Sequence, residues 1–110
     1  MSVEYCAKTI VGYYLTSMEV EKYCKEDHER YDEIVDEYVH RTSYYDSDPE
    51  VVFGIELQCA DAGSIIQRDT SLYVSMSEVR KLIEAFETLF PDLPYDPNRT
   101  IEEYIICQVR

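Results

Sequence analysis

Residues 51–60, VVFGIELQCA, decide the fold class of this chain, because apolar side chains recur there at every second position. Successive side chains of a strand point to opposite faces, so the alternation predicts a β-strand. Its buried face is predicted to hold Phe53, Ile55, Leu57 and Cys59. The turn sequence Asp-Ala-Gly follows at residues 61–63, and residues 64–74 alternate again. The two segments are therefore predicted to pair antiparallel as a hairpin.

Two helix starts lie on either side of this hairpin. Thr16 with Glu19, and Ser75 with Glu78, have the spacing of a capping box. In that motif the hydroxyl accepts from the third helical N–H, and the carboxylate accepts from the N–H of the cap residue. Apolar residues at helical spacing follow both motifs. The second helix is predicted to end before Pro91.

The first helical region allows two interpretations. Its apolar residues recur at helical spacing from residue 17 to about residue 40, but Asp27 interrupts their stripe. The region is therefore either one helix with a polar gap or two helices broken near residues 25–28. In the second case Asp27 is the N-cap of the second helix. The pattern slightly favours the break.

Strands are also predicted near both ends of the chain, over residues 3–15 and 101–109, where β-branched and aromatic residues are frequent. The element order is then β-α-β-β-α-β, the order of the ferredoxin-like arrangement. Residues 14–22 and 73–81 resemble each other, either as an internal repeat or because every strand-to-helix junction favours the same residue types. We therefore expect a single α+β domain over residues 1–110. A four-stranded antiparallel sheet should carry helices on one face and leave the opposite face open to water or to a partner. The predicted core positions are Val11, Ile34, Phe53, Ile55, Leu57, Leu72, Leu82, Phe86 and Ile105.

The charge of the chain excludes several functions. Acidic residues outnumber basic ones 23 to 10, and the net charge is −13. Phosphates would be repelled, which argues against direct binding to nucleic acid or to an anionic membrane. The sequence has neither an apolar run long enough for a membrane helix nor a signal sequence, so a cytoplasmic location is expected. The cysteines are predicted to be reduced and buried; they are Cys6, Cys24, Cys59 and Cys107.

Catalytic and metal-binding motifs are not visible in the sequence. Glycines 12, 54 and 63 are too scattered for a phosphate-binding loop, and neither histidine has neighbours that suggest a catalytic triad. One set of polar residues recurs every four positions: His28, Asp32, Asp36 and His40. On one helix these residues drift by about 40° per step, so only adjacent pairs could share a metal ion. The sequence predicts no enzyme activity, no metal and no cofactor.

Acidic residues concentrate in residues 19–50, where 12 carboxylates accompany 4 basic side chains. Four glutamates recur there at i, i+3, i+7 and i+11, which would place them on one helical stripe with neighbouring Cβ atoms about 5–6 Å apart. That separation is close to the spacing of successive phosphates on a strand. Two tyrosines follow in an acidic loop, and tyrosine supplies large contact area at low entropic cost. The candidate partner-binding residues are Glu26, Glu29, Asp32, Glu33, Asp36, Glu37, Tyr44, Tyr45, Asp46 and Asp48.

These observations favour a non-catalytic acidic protein that binds a basic partner protein. The first hypothesis is an inhibitor that occupies a nucleic-acid-binding groove, with carboxylates in place of phosphates. In size and charge alone the chain resembles phage-encoded anti-defence proteins, including anti-CRISPR proteins. The alternatives are an immunity or antitoxin protein that blocks a basic nuclease or toxin, and a small-molecule-binding domain or small enzyme that uses the open sheet face. A structural subunit and a solvated face that only maintains solubility also stay open, and the sequence does not set the oligomeric state.

Overall fold

The computed structural model describes residues 5–43, 49–61 and 73–109 of the chain. Their fold is α+β, with three helices and one four-stranded antiparallel sheet in the strand order β2-β3-β1-β4. The elements in chain order are β1 Tyr5–Leu15, α1 Ser17–Tyr23, α2 Tyr31–Tyr38, β2 Val39–Arg41, β3 Val51–Asp61, α3 Met76–Leu89 and β4 Glu102–Val109.

The strand predicted over residues 51–60 is confirmed, and its neighbours in the sheet are β1 and β2. The sequence analysis did not predict β2, whose three residues directly continue α2 and are too few to show an alternation. The predicted hairpin partner, 64–74, lies outside the described residues except for Tyr73 and Val74, which belong to no strand.

Both capping boxes are confirmed. The Thr16 hydroxyl accepts from the Glu19 N–H at 3.2 Å, and the Glu19 carboxylate accepts from the Thr16 N–H at 3.0 Å. Ser75 and Glu78 repeat the arrangement at the start of α3, with distances of 3.2 and 3.3 Å. Because these contacts lie within four residues, the local sequence suffices to specify them.

The first helical region is broken, as the pattern favoured, but the predicted cap is wrong. The N-cap of α2 is Arg30 rather than Asp27. Consecutive turns occupy the break: the His28 N–H donates to the Lys25 carbonyl, and the Tyr31 N–H donates to the His28 carbonyl. The chain therefore enters helical geometry three residues later than Asp27 would require.

All three helices pack on one face of the sheet around Phe53. Its ring centroid lies 5.5 Å from that of Tyr38, 5.4 Å from Phe86 and 6.0 Å from Phe90. These rings join α2, α3 and β3 in one apolar layer, against which residues of α1 also pack. The buried members of this core are Leu15, Ile34, Tyr38, Val51, Phe53, Leu82, Ala85, Leu89 and Phe90.

The opposite face is curled and buried at its centre, contrary to the expected open face. Gly12 and Gly54 pair directly across β1 and β3 on this face. The two backbones approach so closely that a Cβ on Gly12 would overlap the Phe53 carbonyl group and the Gly54 Cα. Removing two side chains from one face lets the strands bend sharply towards it. A register shift after Thr9 adds a bulge, which increases the local twist.

The curl brings opposite corners of the sheet together. The Gln108 side-chain amide, at the end of β4, donates to the Arg41 carbonyl of β2 at 2.7 Å, although these are the two outermost strands. A small apolar cluster fills the concave face between them; it contains Ile10, Val52 and Ile106.

The predicted core positions differ in how deeply they are buried. Ile34, Phe53 and Leu82 are buried, whereas Ile105 is 73% exposed and Ile106, at 5%, is buried instead. The prediction for Ile105 is wrong because β4 is an edge strand whose concave face is the buried one. Four other positions are half-buried, namely Val11, Ile55, Leu57 and Phe86, and Leu72 lies outside the described residues.

The predicted burial of cysteines holds for Cys6 but is wrong for Cys59 and Cys107, which are exposed.

Gly12→Ala should destabilise the protein by roughly 1–3 kcal/mol or more, because the added methyl group meets backbone atoms that no rotamer change can move. Urea unfolding of the variant and the parent measures the difference. The control is Cys107→Ala in an exposed strand position, which should change stability by less than about 0.5 kcal/mol. A Gly12 variant as stable as that control would contradict the close approach of β1 and β3.

Candidate interaction surface

Helix α2 has one apolar and one acidic side. Ile34 and Tyr38, one turn apart, are buried against the sheet. The four acidic residues of the helix are all exposed: Asp32, Glu33, Asp36 and Glu37. Residues three or four apart on a helix are neighbours, so these carboxylates form two adjacent rows with Cβ atoms about 5–6 Å apart.

The predicted glutamate stripe does not lie on one helix. Glu26 and Glu29 are exposed but belong to the turns between α1 and α2, so only Glu33 and Glu37 keep the expected helical relation. The stripe assumed an unbroken helix, which the turns at residues 24–30 exclude. Residues 26–37 hold seven described carboxylates, and the six that were predicted are called the acidic surface below: Glu26, Glu29, Asp32, Glu33, Asp36 and Glu37. The seventh, Asp27, is also exposed. The other four candidates, Tyr44, Tyr45, Asp46 and Asp48, lie outside the described residues.

Three basic side chains near the acidic surface, Lys22, Lys25 and Arg30, already have partners. Lys25 pairs with Asp92 at 2.8 Å, and Lys22 lies over the Tyr23 ring at 5.2 Å. Arg30 contacts Glu84 of α3 at 3.2 Å and Glu33 at 3.7 Å.

The remaining carboxylates of the acidic surface form no ion pair within the part of the chain that the structure describes. They are Glu26, Glu29, Asp32, Asp36 and Glu37. Most of the negative charge of this surface is therefore not neutralised by an ion pair among the described residues.

The tyrosines beneath the surface stay neutral. Burial raises the pKa of Tyr38, and the neighbouring Glu37 carboxylate raises it further. Burial also raises the pKa of Tyr31, with smaller contributions from nearby acidic groups that include Glu26. These phenols add no charge of their own at neutral pH, and the exposed carboxylates set the potential of this side of the molecule.

A second polar cluster, which the sequence analysis missed, lies on the concave face of the sheet. Lys8 of β1 pairs with Glu56 of β3 at 3.2 Å. His40 donates from Nε2 to the Gly54 carbonyl at 3.2 Å. The Cys6 thiol donates to Gln108 Oε1 at 3.4 Å, and Gln108 in turn reaches β2. The sequence signal was a charged or amide residue inside an apolar strand, as at Lys8 and Gln108.

The hydrogen bonds of this cluster point to a structural role. Among the described residues, every buried side-chain nitrogen and oxygen has a hydrogen-bond partner. The described residues also contain no group of three His, Cys, Asp or Glu side chains placed to hold a metal ion. The histidines are separated, since His28 accepts from the Arg30 N–H in the turn whereas His40 lies in β2. The cluster joins four strands and presents no unsatisfied group to a ligand.

The chain matches no protein-family model, no curated protein and no solved structure at significant similarity. Among the described helices none is long and apolar enough to cross a membrane.

Gln108→Leu should lower the free energy of unfolding by roughly 1–3 kcal/mol, because the fully buried Gln108 side chain loses its hydrogen bonds to the Arg41 carbonyl and the Cys6 thiol. Chemical denaturation measures the loss. Ile105→Thr, three residues earlier and exposed, is the control and should stay close to the parent. Equal stability of both variants would mean that the link between the outermost strands contributes nothing.

His40 should make stability fall under mildly acidic conditions. Burial, followed by the charge of Lys8, lowers the pKa of His40, although Gly54 and Glu56 act in the opposite direction. The folded state therefore favours neutral imidazole. This contribution is complete above the ordinary histidine pKa of about 6.5 and is lost as the pH falls from there towards the lowered value.

The measurement compares urea unfolding of the parent and of His40→Gln at about pH 7.5 and about pH 5.5, on either side of the ordinary histidine pKa. The stability advantage of the parent should shrink at the lower pH. The carboxylates are common to both proteins, so their titration cancels in the difference. A difference that is the same at both pH values would contradict this assignment.

Proposed function

We propose that the protein is a non-catalytic inhibitor that binds a basic partner protein through its acidic surface and occupies a nucleic-acid-binding groove of that partner. The observation that carries the proposal is the row of exposed carboxylates on α2 and the preceding turns, of which only Glu33 has an ion pair within the described part of the molecule. An unneutralised acidic surface attracts basic side chains over a distance of about 8–10 Å at physiological salt.

Carboxylates at this spacing suit a groove that normally holds phosphates. Neighbours on α2 lie one turn apart, with Cβ atoms about 5–6 Å from each other. Arginine binds carboxylate and phosphate with the same bidentate geometry. A groove lined with arginine and lysine can therefore accept either ligand. In size and charge this chain resembles phage anti-defence proteins, anti-CRISPR proteins among them. Competition with nucleic acid is the activity that this resemblance suggests.

We further propose that the fold is a ferredoxin-like arrangement. The supporting facts are the strand order β2-β3-β1-β4, the antiparallel pairing throughout and the helices on a single face. In this assignment β2 and β3 are the second and third strands of the fold, rather than segments 51–60 and 64–74. The arrangement directs α2 and α3 outwards as one helical layer. Exposed thiols at Cys59 and Cys107 are compatible with a reducing compartment such as the cytoplasm.

Asp32→Lys combined with Asp36→Lys should weaken binding to a labelled nona-arginine peptide roughly tenfold at low salt. The reason is that exposed ion pairs between these carboxylates and the peptide's arginines, worth up to about 1 kcal/mol each, are lost. Most of the loss should be in the association rate, since long-range attraction accelerates encounter. These positions are preferable to Glu33, whose reversal would also disturb Arg30. The rates are measured at about 50 mM and about 300 mM salt, a range over which exposed charges become screened.

The matched control is Glu21→Lys combined with Glu102→Lys. It changes the net charge equally, but its residues lie on α1 and β4 and do not belong to the acidic surface. It should retain most of the binding at both salt concentrations. If both double variants weaken binding alike, net charge rather than this surface governs the interaction.

A competition experiment separates the inhibitor from the immunity alternative. The parent and the Asp32→Lys, Asp36→Lys variant are immobilised and exposed to host lysate at low salt. Single-stranded DNA or RNA is then added. Phosphate mimicry predicts that nucleic acid displaces the protein captured by the parent, and that the variant captures much less of it. A captured protein that nucleic acid does not displace would contradict groove occupation and favour the toxin-blocking alternative.

A further inference from the structure

An apolar groove of about 650 Å³ runs along α3, on the same face of the sheet as the helices. It lies between this helix, the adjoining end of β1 and the segment that follows α3. The residues that form its apolar walls are Tyr13, Ile83, Phe86, Phe90, Leu93 and Tyr95. The volume is in the range of binding pockets that accept a large side chain or a small ligand.

The floor of the groove is rigid because its rings are stacked. Tyr13 and Phe86 lie 4.4 Å apart between ring centroids, and Phe86 and Phe90 lie 5.2 Å apart. Phe86 and Phe90 also contact Phe53 at the centre of the core. A wall fixed by the core needs little rearrangement to receive an apolar group, which lowers the entropic cost of binding. By contrast, Tyr95 at the outer wall is 90% exposed and contributes little to the core.

The free charge at the rim of the groove is negative. Its lining includes Glu87, Asp96 and Arg99. Arg99 is neutralised by Glu19, with which it forms an ion pair, and it donates to the Pro94 carbonyl at 3.1 Å. Glu87 forms no ion pair within the described residues, and the Asp96 carboxylate accepts there from the Asn98 N–H at 2.9 Å and pairs with no basic side chain. The rim therefore complements a basic segment.

The groove and the acidic surface adjoin the same helix. Glu87 at the rim lies one helical turn from Glu84, and Glu84 contacts Arg30 directly before α2. A single partner can therefore lie across α3 and contact both sites. Charges at such surfaces accelerate association more than they prolong the complex, whereas a desolvated apolar anchor slows dissociation. The acidic surface is suited to accelerate association, and the groove is suited to slow dissociation.

We propose that this groove receives one aromatic or leucine side chain that the basic partner carries between lysine and arginine residues. The proposal rests on the proposed function, because it assigns the partner's apolar anchor beside the acidic surface. Phenylalanine is the reference anchor. Its burial in the groove should strengthen binding roughly tenfold relative to alanine at the same position.

The test uses two amidated nonapeptides rich in lysine and arginine that differ only in a central Phe or Ala. Calorimetric titration at low salt measures the affinity of each peptide for the parent, for Ile83→Glu and for Tyr95→Ala. The expected result is a roughly tenfold preference of the parent for the Phe peptide, which both variants reduce to nearly none. Ile83 is half-buried and its variant could unfold, whereas the exposed Tyr95 is removed without loss of core contacts.

The outcomes separate the two proposals. Equal affinity of the parent for both peptides would overturn the groove assignment and leave the acidic surface intact. If Asp32→Lys with Asp36→Lys weakens both peptides but keeps the preference for Phe, both assignments are supported. A preference for Phe that survives in Tyr95→Ala and Ile83→Glu would place the anchor elsewhere and overturn the inference. Binding of neither peptide to the parent would overturn both proposals.

Discussion

The close approach of Gly12 and Gly54 is the constraint on which the rest of this structure depends. The two residues pair across β1 and β3, and a side chain on Gly12 would collide with backbone rather than with movable atoms. Without those side chains the sheet bends towards one face, and the Gln108 amide can then reach Arg41 across the sheet. The curl thereby gives the concave face its own interior, with Ile10, Val52 and Ile106 at its centre.

The helices and the candidate sites lie on the other face of the sheet, which the bend makes convex. Phe53 in β3 contacts rings from α2 and α3, so both helices are fixed against the same strand. Arg30 joins them at the surface through Glu84. The acidic surface and the apolar groove are thus presented by one rigid layer. Side chains held by a packed core keep their geometry, which favours recognition by a preformed surface.

This arrangement has an electrostatic cost that the core offsets. Like charges one turn apart on a helix destabilise it by roughly 0.2–0.5 kcal/mol per pair, and α2 carries several such pairs. Two buried residues of α2, Ile34 and Tyr38, contribute apolar burial worth roughly 1.5–3 kcal/mol each, enough to hold the helix despite the repulsion. The buried side of α2 thereby allows the exposed side to carry charge that does not itself stabilise the helix.

The sequence by itself determined the features that depend on neighbouring residues. Both capping boxes, helix α3 and the strand over residues 51–60 follow from spacings within a single element, where the interacting groups are a few residues apart. Alternation could not decide which face of β4 is buried, since Ile105 and Ile106 are both apolar.

Only the tertiary structure decided that choice, because burial there depends on how the whole sheet bends. It also decided that β2 exists, through its pairing with β3, and that Gln108 meets a residue 67 positions earlier in the chain. The excess of acidic residues is evident from the sequence alone. Their division between turns and a helix, and the groove beside them, arise from contacts between distant segments that no local pattern encodes.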